Sequence, residues 1–255
     1  MSTVPCYLER YSSIAMRRED GILEMRMHTR GGPALWGFWG GLHRELGQAF
    51  LDVAQDPENR VVIFTGTGDS FCADFDMQGE TPPALNAEVW DEIRREGTAL
   101  LCNMLSIEVP VIAAVNGPAF IHAELPVLAD IVLASEKAVF ADKPHFINGV
   151  VPGDGVQIVW PMLLGPNRGR YFLMTGQEIC AKEALALGFV GEVLAPELLL
   201  PRAWELAREI AARPKLAMRY ARLVLTKKIR EEVNRDLGTG LIMEGMAVLA
   251  SMAPG

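Results

Sequence analysis

The sequence of 255 residues contains only four histidines, and two of them stand where acid-base chemistry is expected. His122 and His145 lie near turns that follow predicted strands, and such turns carry side chains into clefts. Asp154 follows in the turn Pro152-Gly153-Asp154-Gly155, which could return it to His145. A carboxylate beside a histidine fixes the tautomer and stabilises the imidazolium, so the two together act as a general base near neutral pH. The pattern favours a water-activating dyad of His145 and Asp154.

Each of these residues also has a purely structural interpretation. His145 would then satisfy a buried hydrogen bond, and Asp154 would cap the helix that follows Gly155, a role that aspartate fills well. His122 would seal the loop before Glu124. The spacing of the residues does not decide between these interpretations.

Two tryptophans are candidates for substrate contacts. Trp36 and Trp39 flank the Gly37-Phe38 pair ahead of Gly40-Gly41. An indole N–H can donate to a substrate carbonyl while its ring lines an apolar pocket. Ordinary packing explains either tryptophan at least as well.

The charge of the chain bears on its partners. The formal net charge is -8, which disfavours nucleic acid and anionic membrane surfaces, because both are polyanions. Residues 65–93 contain no Lys or Arg but several acidic residues, which would repel the phosphates of an acyl-CoA. Arginines from elsewhere in the fold could still reach this stretch. A small, weakly charged ligand is the expected partner.

The cysteines and the N-terminus carry no special signal. Cys6, Cys72, Cys102 and Cys180 are scattered, without the spacing of a zinc site, and are expected to be reduced packing residues. Residues 1–5 lack the pattern of a signal peptide, and no apolar run is long enough to span a bilayer. We therefore expect a cytoplasmic protein.

The elements that position these residues alternate between strands and helices. Asp20-Gly21 between two strand-like segments is typical of a β-hairpin. The periodicity then predicts a helix over 42–53, a buried strand over 61–64, a helix over 88–105, a strand over 109–115, a short helix over 122–128, and strands over 130–134 and 138–141. From residue 181 the chain is predicted to be mostly helical, over 181–187, 197–212, 214–228 and 230–249. The pattern indicates an α/β core domain over 1–195 and a C-terminal helical subdomain over 196–255, which packs over a neighbouring surface.

Three blocks of sequence, in order, resemble signature blocks of the crotonase (enoyl-CoA hydratase/isomerase) superfamily. The blocks are Ser70-Phe71-Cys72-Ala73-Asp74-Phe75-Asp76-Met77, then Val109-Pro110-Val111-Ile112-Ala113-Ala114-Val115-Asn116-Gly117 with the later Asp130-Ile131-Val132-Leu133-Ala134, and Gly149-Val150-Val151-Pro152-Gly153-Asp154-Gly155. The resemblance implies a core built as a ββα spiral. It also implies a homotrimer or a dimer of trimers.

Within this superfamily the sequence is most similar to 6-oxocamphor hydrolase and related β-diketone hydrolases. The resemblance is carried by His43, His122, His145, Asp154 and Glu244. It implies that these residues hydrolyse a C–C bond of a cyclic or bicyclic β-diketone by a retro-Claisen reaction, without a metal or an organic cofactor.

The resemblance also suggests a role for each residue. Activated water attacks one ketone, and His122 stabilises and protonates the departing enolate. His43 orients a carbonyl or supports another site residue, and Glu244 holds His145 or His43. The predicted substrate contacts are Trp36, Trp39, Phe75 and Glu124.

The sequence departs from the hydratase pattern in the segments that matter for hydration. Phe120-Ile121-His122-Ala123 replaces a Gly-rich oxyanion segment, and His145 replaces a catalytic glutamate that follows a proline. Asp74 and Phe75 replace small residues beside the first oxyanion amide. Two alternatives stay open: an enoyl-CoA hydratase or isomerase that uses Glu124, and a catalytically silent scaffold that acts through its oligomer surface.

Overall fold

The computed structural model of the chain describes residues 6–37 and 39–252, which alternate between strands and helices. The strands are β1 (Ile14–Glu19), β2 (Ile22–Met27), β3 (Leu35–Trp36), β4 (Val61–Thr65), β5 (Asp74–Phe75), β6 (Val111–Val115), β7 (Ile131–Ser135), β8 (Val139–Phe140), β9 (Ile179–Cys180) and β10 (Glu192–Leu194). The helices are α1 (Gly41–Gln55), α2 (Ala87–Ser106), α3 (Glu124–Val127), α4 (Val156–Leu164), α5 (Pro166–Thr175), α6 (Ala181–Leu187), α7 (Pro196–Ala211), α8 (Lys215–Leu225) and α9 (Lys227–Met252). Residues 1–5, on which the expected lack of a signal peptide rests, and Phe38 lie outside the described residues.

The main sheet has six strands in the order β1-β2-β4-β6-β7-β10. The predicted hairpin is confirmed: β1 and β2 are antiparallel, and Asp20 and Gly21 both have positive φ angles, as a type I′ turn requires. All later neighbours are parallel, beginning with β2 against β4 and β4 against β6. Parallel neighbours need a crossover, and the helices between the strands provide it.

A second, short ladder runs beside the main sheet. After β2, β4, β6 and β7 the chain makes a brief extended stretch each time, and these stretches pair with one another. Trp36 of β3 pairs with Phe75 of β5, Cys72 bridges to Ala119, and Ala119 bridges to Phe140 of β8. This repetition of long strand, short strand and helix is the predicted ββα spiral, which the structure confirms.

Both faces of the main sheet are buried, which explains the continuous apolar runs of β4 and β6. One face packs on the main core with α1 and α2. On the other face, Val61, Ile63 and Ile112 pack against Ala203 and Trp204 of α7.

The C-terminal segment is more closely joined to the core than its helical pattern suggests. The expectation of a helical chain from residue 181 missed β10, which pairs with β7 at the edge of the main sheet. Its three residues are too few to show a period. Helix α7 covers the sheet, and α9 packs along α2. The boundary at residue 195 stays a prediction, but the segment after it supplies part of the core.

Helix α9 approaches the turn that carries Asp154 at two glycines. A Cβ on Gly153 would lie 2.3 Å from the carbonyl oxygen of Gly240, and a Cβ on Gly240 would lie 2.3 Å from that of Gly153. Glycine inside a helix costs up to about 1 kcal/mol relative to alanine, so the close approach accounts for Gly240 within α9. One turn further along α9 stands Glu244.

Surface features bear on two further expectations. No helix in the described ranges is long and apolar enough to cross a membrane. The homotrimer or dimer of trimers stays a prediction, and α8 and α9 expose several large apolar side chains, namely Leu216, Tyr220, Val224, Leu225, Ile242, Met243 and Met246.

Helix α8 is anchored by a buried arginine, and this anchor can be tested. The Arg222 side chain is 1% exposed, pairs with Asp130, and donates from Nε to the Ile107 carbonyl at 2.6 Å. We expect Arg222→Met to lower the free energy of unfolding by about 3–5 kcal/mol, because it removes the cation that pairs with Asp130 and leaves the Ile107 carbonyl without its donor. Urea unfolding followed by circular dichroism measures the change.

The control is Arg219→Met on the same helix. Arg219 pairs with Glu108 but its side chain is 38% exposed, so the expected loss is below about 1 kcal/mol. Equal losses for the two variants would show that Arg222 is no special anchor.

Candidate active site

Four of the five residues predicted to be catalytic arrive from separate parts of the chain, and the fifth, His43, lies on α1. His122 follows the second-ladder residue Ala119, and His145 follows β8. Asp154 precedes α4, and Glu244 lies on α9. The structure brings all four side chains together in a buried cluster.

His145 stands between three carboxylates. Its Nδ1 lies 2.6 Å from Oδ1 of Asp142. Its Nε2 lies 3.4 Å from Oδ2 of Asp154 and 3.7 Å from Oε1 of Glu244. The predicted neighbours Asp154 and Glu244 are therefore both present, but the shortest contact of His145 is to Asp142.

Asp154 joins the two histidines. Its Oδ2 lies 3.4 Å from Nε2 of His145 and 3.4 Å from Nδ1 of His122. Its Oδ1 accepts a weak hydrogen bond from the Val156 amide, at 3.5 Å, at the start of α4. One oxygen of Asp154 thus faces the two histidines, and the other contacts the amide at the start of α4. The catalytic role of Asp154 stays a prediction.

His122 is held by a buried glutamate. Its Nδ1 lies 2.6 Å from Oε1 of Glu124, the first residue of α3, which is fully buried. The backbone of His122 has φ 50°, a left-handed conformation that is uncommon for residues other than glycine. Such strain is often found at functional sites. Glu124, predicted to contact the substrate, lies where it can also act through His122, and the substrate contact stays a prediction.

An aromatic wall connects His122 to His43. The Trp36 ring lies 4.1 Å from the His122 ring and 5.8 Å, edge on, from the His43 ring. Phe75 is next to Trp36, because β3 and β5 pair at these residues. His43 is buried in the first turn of α1, and its Nδ1 lies 2.8 Å from Oε2 of Glu96.

Trp39 is the predicted site residue that the structure places farther out. Its ring lies under the guanidinium of Arg44, 5.2 Å from the ring centre. Arg44 in turn pairs with Glu96, the partner of His43, and this chain of contacts joins Trp39 to the site.

The ionisable groups of the cluster shift one another's pKa values. Burial opposes a charge on His122, but Glu124 and Asp154 outweigh it and raise its pKa to about 9. Burial likewise opposes a charge on His145, and Asp154, Asp142 and Glu244 raise its pKa well above the usual value. Burial by itself would raise the pKa of Asp154, but the two histidines lower it.

Three carboxylates hold oxygens that lack a partner. Burial raises the pKa values of Glu124, Asp142 and Glu244. Each has one buried oxygen that makes no hydrogen bond to the described residues, Oε2, Oδ2 and Oε2 respectively. A buried carboxylate oxygen without a partner is costly, so these positions suit a proton, a water molecule or a polar group of a substrate.

The backbone near His122 is already committed to hydrogen bonds. The amides of Phe120 and Ile121 both donate to the Cys72 carbonyl, at 2.9 and 3.1 Å. These two amides are thus not free to bind an oxyanion. The Nε2 of His122, by contrast, has no hydrogen bond to the part of the chain that the structure describes.

Sequence reasoning missed two residues of this site. Asp142 follows β8 and stands three positions before His145, and a carboxylate directly after a buried strand is a signal that could have drawn attention to it. Glu96 lies inside α2 among other charged residues, so the sequence carries no signal that it faces His43.

His122, Glu124 and Asp154 form a group that could offer three ligand atoms to a metal, all within 4.8 Å of one another. Ligands of one tetrahedral ion, each about 2.1 Å from it, lie about 3.4 Å apart. The distance of 2.6 Å between His122 and Glu124 fits a direct hydrogen bond better. The predicted lack of a metal stays a prediction.

A shallow cleft elsewhere is a weaker candidate for a binding site. It is lined by residues of α1, α8 and the segment before β6 and contains no histidine. Its cations are engaged, since Lys215 donates to the Pro57 carbonyl at 2.7 Å and Arg219 pairs with Glu108.

Comparison with known proteins supports the resemblance inferred from the sequence. The family described as "Enoyl-CoA hydratase/isomerase" matches residues 17–245. A β-diketone hydrolase of the cyanobacterium Anabaena, solved with (S)-3-oxocyclohexyl acetic acid, is 45% identical, with a TM-score of 0.92, covering 98% of this chain and 99% of that chain.

Other similar proteins act, by name, on CoA thioesters. A carnitinyl-CoA dehydratase of Salmonella arizonae is 36% identical over 81% of this chain and 79% of its own length. The structure of an enoyl-CoA hydratase/isomerase of Mycobacterium paratuberculosis is 27% identical, with a TM-score of 0.84, covering 92% of this chain and 93% of that chain.

The raised pKa of His122 can be measured directly. We expect its imidazole to titrate near pH 9, because Glu124 and Asp154 favour the charged form. A pKa raised on folding gives stability that is fully present below the unfolded value of about 6.5 and is lost as the pH rises through about 9. NMR of histidine-labelled protein follows the titration, and loss of the signal in His122→Asn identifies it.

The matched variant is Glu124→Gln, which removes one of the two carboxylates and should lower the pKa of His122. The same pKa in Glu124→Gln and in the wild type would show that Glu124 does not control this histidine.

Proposed function

The chain belongs to the enoyl-CoA hydratase/isomerase family, the crotonase superfamily, and within it we propose that the protein hydrolyses a C–C bond of a cyclic or bicyclic β-diketone. The observation that carries this proposal is the position of Asp154, with one oxygen 3.4 Å from each of the two imidazoles. Two histidines joined by one carboxylate suit a reaction in which one proton is removed and another is delivered. The β-diketone hydrolase of Anabaena supports the choice of substrate class.

The first step is activation of water. The pKa of His145 is raised, so the resting proton lies on this residue, and the acceptor of the water proton is the coupled pair of His145 and Asp154. The hydroxide equivalent attacks one ketone and forms a tetrahedral intermediate. This step refines the dyad predicted from the sequence, since the pair and not the imidazole alone is the base.

The second step is cleavage of the C–C bond, which leaves an enolate. With a pKa of about 9, His122 is an imidazolium at neutral pH, and its Nε2 can face the developing negative charge. The amides of Phe120 and Ile121 are engaged with Cys72, so a side chain takes over stabilisation of the anion.

The cluster gains and gives up the same number of protons over one reaction cycle. The hydroxyl of water ends in the carboxylic acid, and the proton of water replaces the broken bond at carbon. The proton gained at His145–Asp154 compensates for the proton that His122 gives to the enolate. Because Asp154 contacts both histidines, the cluster can return to its first charge state without a cofactor.

The walls near His122 suit a cyclic, apolar substrate. Trp36 and Phe75 offer aromatic surface beside the imidazole, and His43 stands at the far edge of Trp36. We propose that His43, oriented by Glu96, hydrogen-bonds the second carbonyl of the diketone.

The second candidate function is hydration or isomerisation of an enoyl-CoA, which the names of the similar carnitinyl-CoA dehydratases favour. In that chemistry Glu124 would be the catalytic acid or base. Its hydrogen-bonded oxygen is, however, engaged by His122, and His145 stands where the hydratase pattern has a glutamate.

The acidic stretch over 65–93 bears on the same question. Arg30 reaches into it and pairs with Asp76, at 2.8 Å, so the stretch is less negative than its sequence suggests. Its lack of Lys and Arg therefore weighs only weakly against a CoA ligand.

An assay of β-diketones and enoyl-CoA thioesters by loss of absorbance tests the proposal. We expect turnover of at least one cyclic β-diketone, and a fall in kcat of at least about a hundredfold in Asp154→Asn, in the range typical of general acid-base groups. The control is Asp56→Asn, whose carboxylate contacts Tyr7 and Arg18 and none of the histidines of the cluster. Turnover of thioesters alone, or near-wild-type activity in folded Asp154→Asn, would contradict the proposal.

His122 should act mainly after the bond begins to break. We expect His122→Ala to lower kcat more than it raises KM, because the enolate carries its full charge only then. Steady-state kinetics on one β-diketone give both constants. A rise in KM with kcat unchanged would make His122 a binding contact only.

A further inference from the structure

His145 has two ring nitrogens with unequal surroundings, and this difference assigns a role to Asp142. The contact of Nδ1 with Asp142 is 2.6 Å long. The contacts of Nε2 with Asp154 and Glu244 are 3.4 and 3.7 Å. The charge-assisted hydrogen bond between Nδ1 and Asp142 is therefore short and strong, whereas the contacts of Nε2 with Asp154 and Glu244 are long and weak.

Asp142 is buried and is held in position for this contact by the backbone beside it. Its side chain is 2% exposed and that of His145 is 4% exposed. Asp142 is separated from β8 by one residue, Ala141, which donates its amide to the Ala119 carbonyl in the second ladder. The carboxylate is therefore held by the same ladder that places His122.

We propose that Asp142 is the positioning residue of His145: it keeps a proton on Nδ1 and so leaves Nε2 as the nitrogen that exchanges protons with Asp154 and the substrate water. The catalytic role of Asp142 rests on the proposed function, whereas its effect on the protonation of His145 does not. Within the described ranges, four ionisable groups face His145 directly or through one neighbour. Asp142 precedes it in the chain, Asp154 precedes α4, Glu244 lies on α9, and His122 is connected through Asp154.

The same arrangement explains why Asp154 does not orient His145. An acid that exchanges protons with Nε2 cannot also hold Nδ1 in place, since the two nitrogens point away from each other across the ring. Two carboxylates are needed, one on each side. The orienting acid is thus Asp142, and Asp154 is left free to serve both histidines.

The test uses histidine labelled with ¹⁵N in the ring, and the presence of only four histidines keeps the spectrum simple. In the wild type the Nδ1 proton of His145 should give a downfield signal that persists across the pH range, while the Nε2 proton exchanges. Asp142→Asn should remove this downfield signal. The matched variant Glu124→Gln, which removes the acid of the other histidine, should leave the Nδ1 signal of His145 in place and shift that of His122.

Kinetics provide the second readout. Asp142→Asn should lower kcat by about a hundredfold and move the pH limb of kcat/KM to lower pH, because one acid that stabilises the imidazolium is lost. If Asp142 only supported the fold, its replacement would not shift the pH dependence of kcat/KM. If Asp142→Asn does not fold, the wild-type titration still decides, since loss of the proton from Nδ1 before Nε2 would overturn the assignment.

The two proposals fail in different ways. Absence of diketone turnover with the Nδ1 signal present would refute the proposed function and leave the role of Asp142 in the imidazole state intact. Diketone turnover with an Nδ1 signal that survives Asp142→Asn would refute the role of Asp142 alone.

Discussion

The structure depends on mutual compensation among six ionisable side chains that share one buried space: His122, His145, Glu124, Asp142, Asp154 and Glu244. A single buried charge is very costly, whereas paired charges with good geometry are tolerated. Each histidine nitrogen that faces the cluster therefore meets a carboxylate, and the lone acid Asp154 serves two imidazoles. The arrangement brings groups that can exchange protons close together, and all of them except the half-buried His122 are buried.

Close backbone contacts bring these six side chains together. The second ladder of β3, β5 and β8 with Cys72 and Ala119 sets Trp36, Phe75, His122 and Asp142 at neighbouring positions. The opposite side comes from α9, which reaches the Asp154 turn through the contact of Gly153 with Gly240. A larger side chain at either glycine would push Glu244 away from His145. The C-terminal segment is thus part of the site, although a long stretch of chain separates it from the histidines.

The site differs from the hydratase pattern in the groups that could bind an anion. The family name refers to enoyl-CoA substrates, for which backbone amides are suited to binding a thioester oxyanion. In this chain two such amides, of Phe120 and Ile121, are committed to the Cys72 carbonyl, and His122 adopts a strained left-handed conformation beside them. In the proposed reaction the charged side chain of His122, rather than backbone amide dipoles, stabilises the anion. An enolate that must be protonated favours that exchange, since an imidazolium can deliver a proton and an amide cannot.

The sequence by itself determined the superfamily, the ββα plan and the main strands and helices, because local periodicity, turn residues and signature blocks are contained in short stretches of chain. It also singled out histidines and acids as candidates for the site, and the structure brings most of them together. It did not determine which acid serves which histidine. Asp142, Glu96 and the short strands β3, β5, β9 and β10 became visible only in the folded chain. Two-residue and three-residue strands are too short to show a period. The pairing of acids with imidazoles depends on distances of a few ångström between segments far apart in sequence, and only tertiary packing sets those distances.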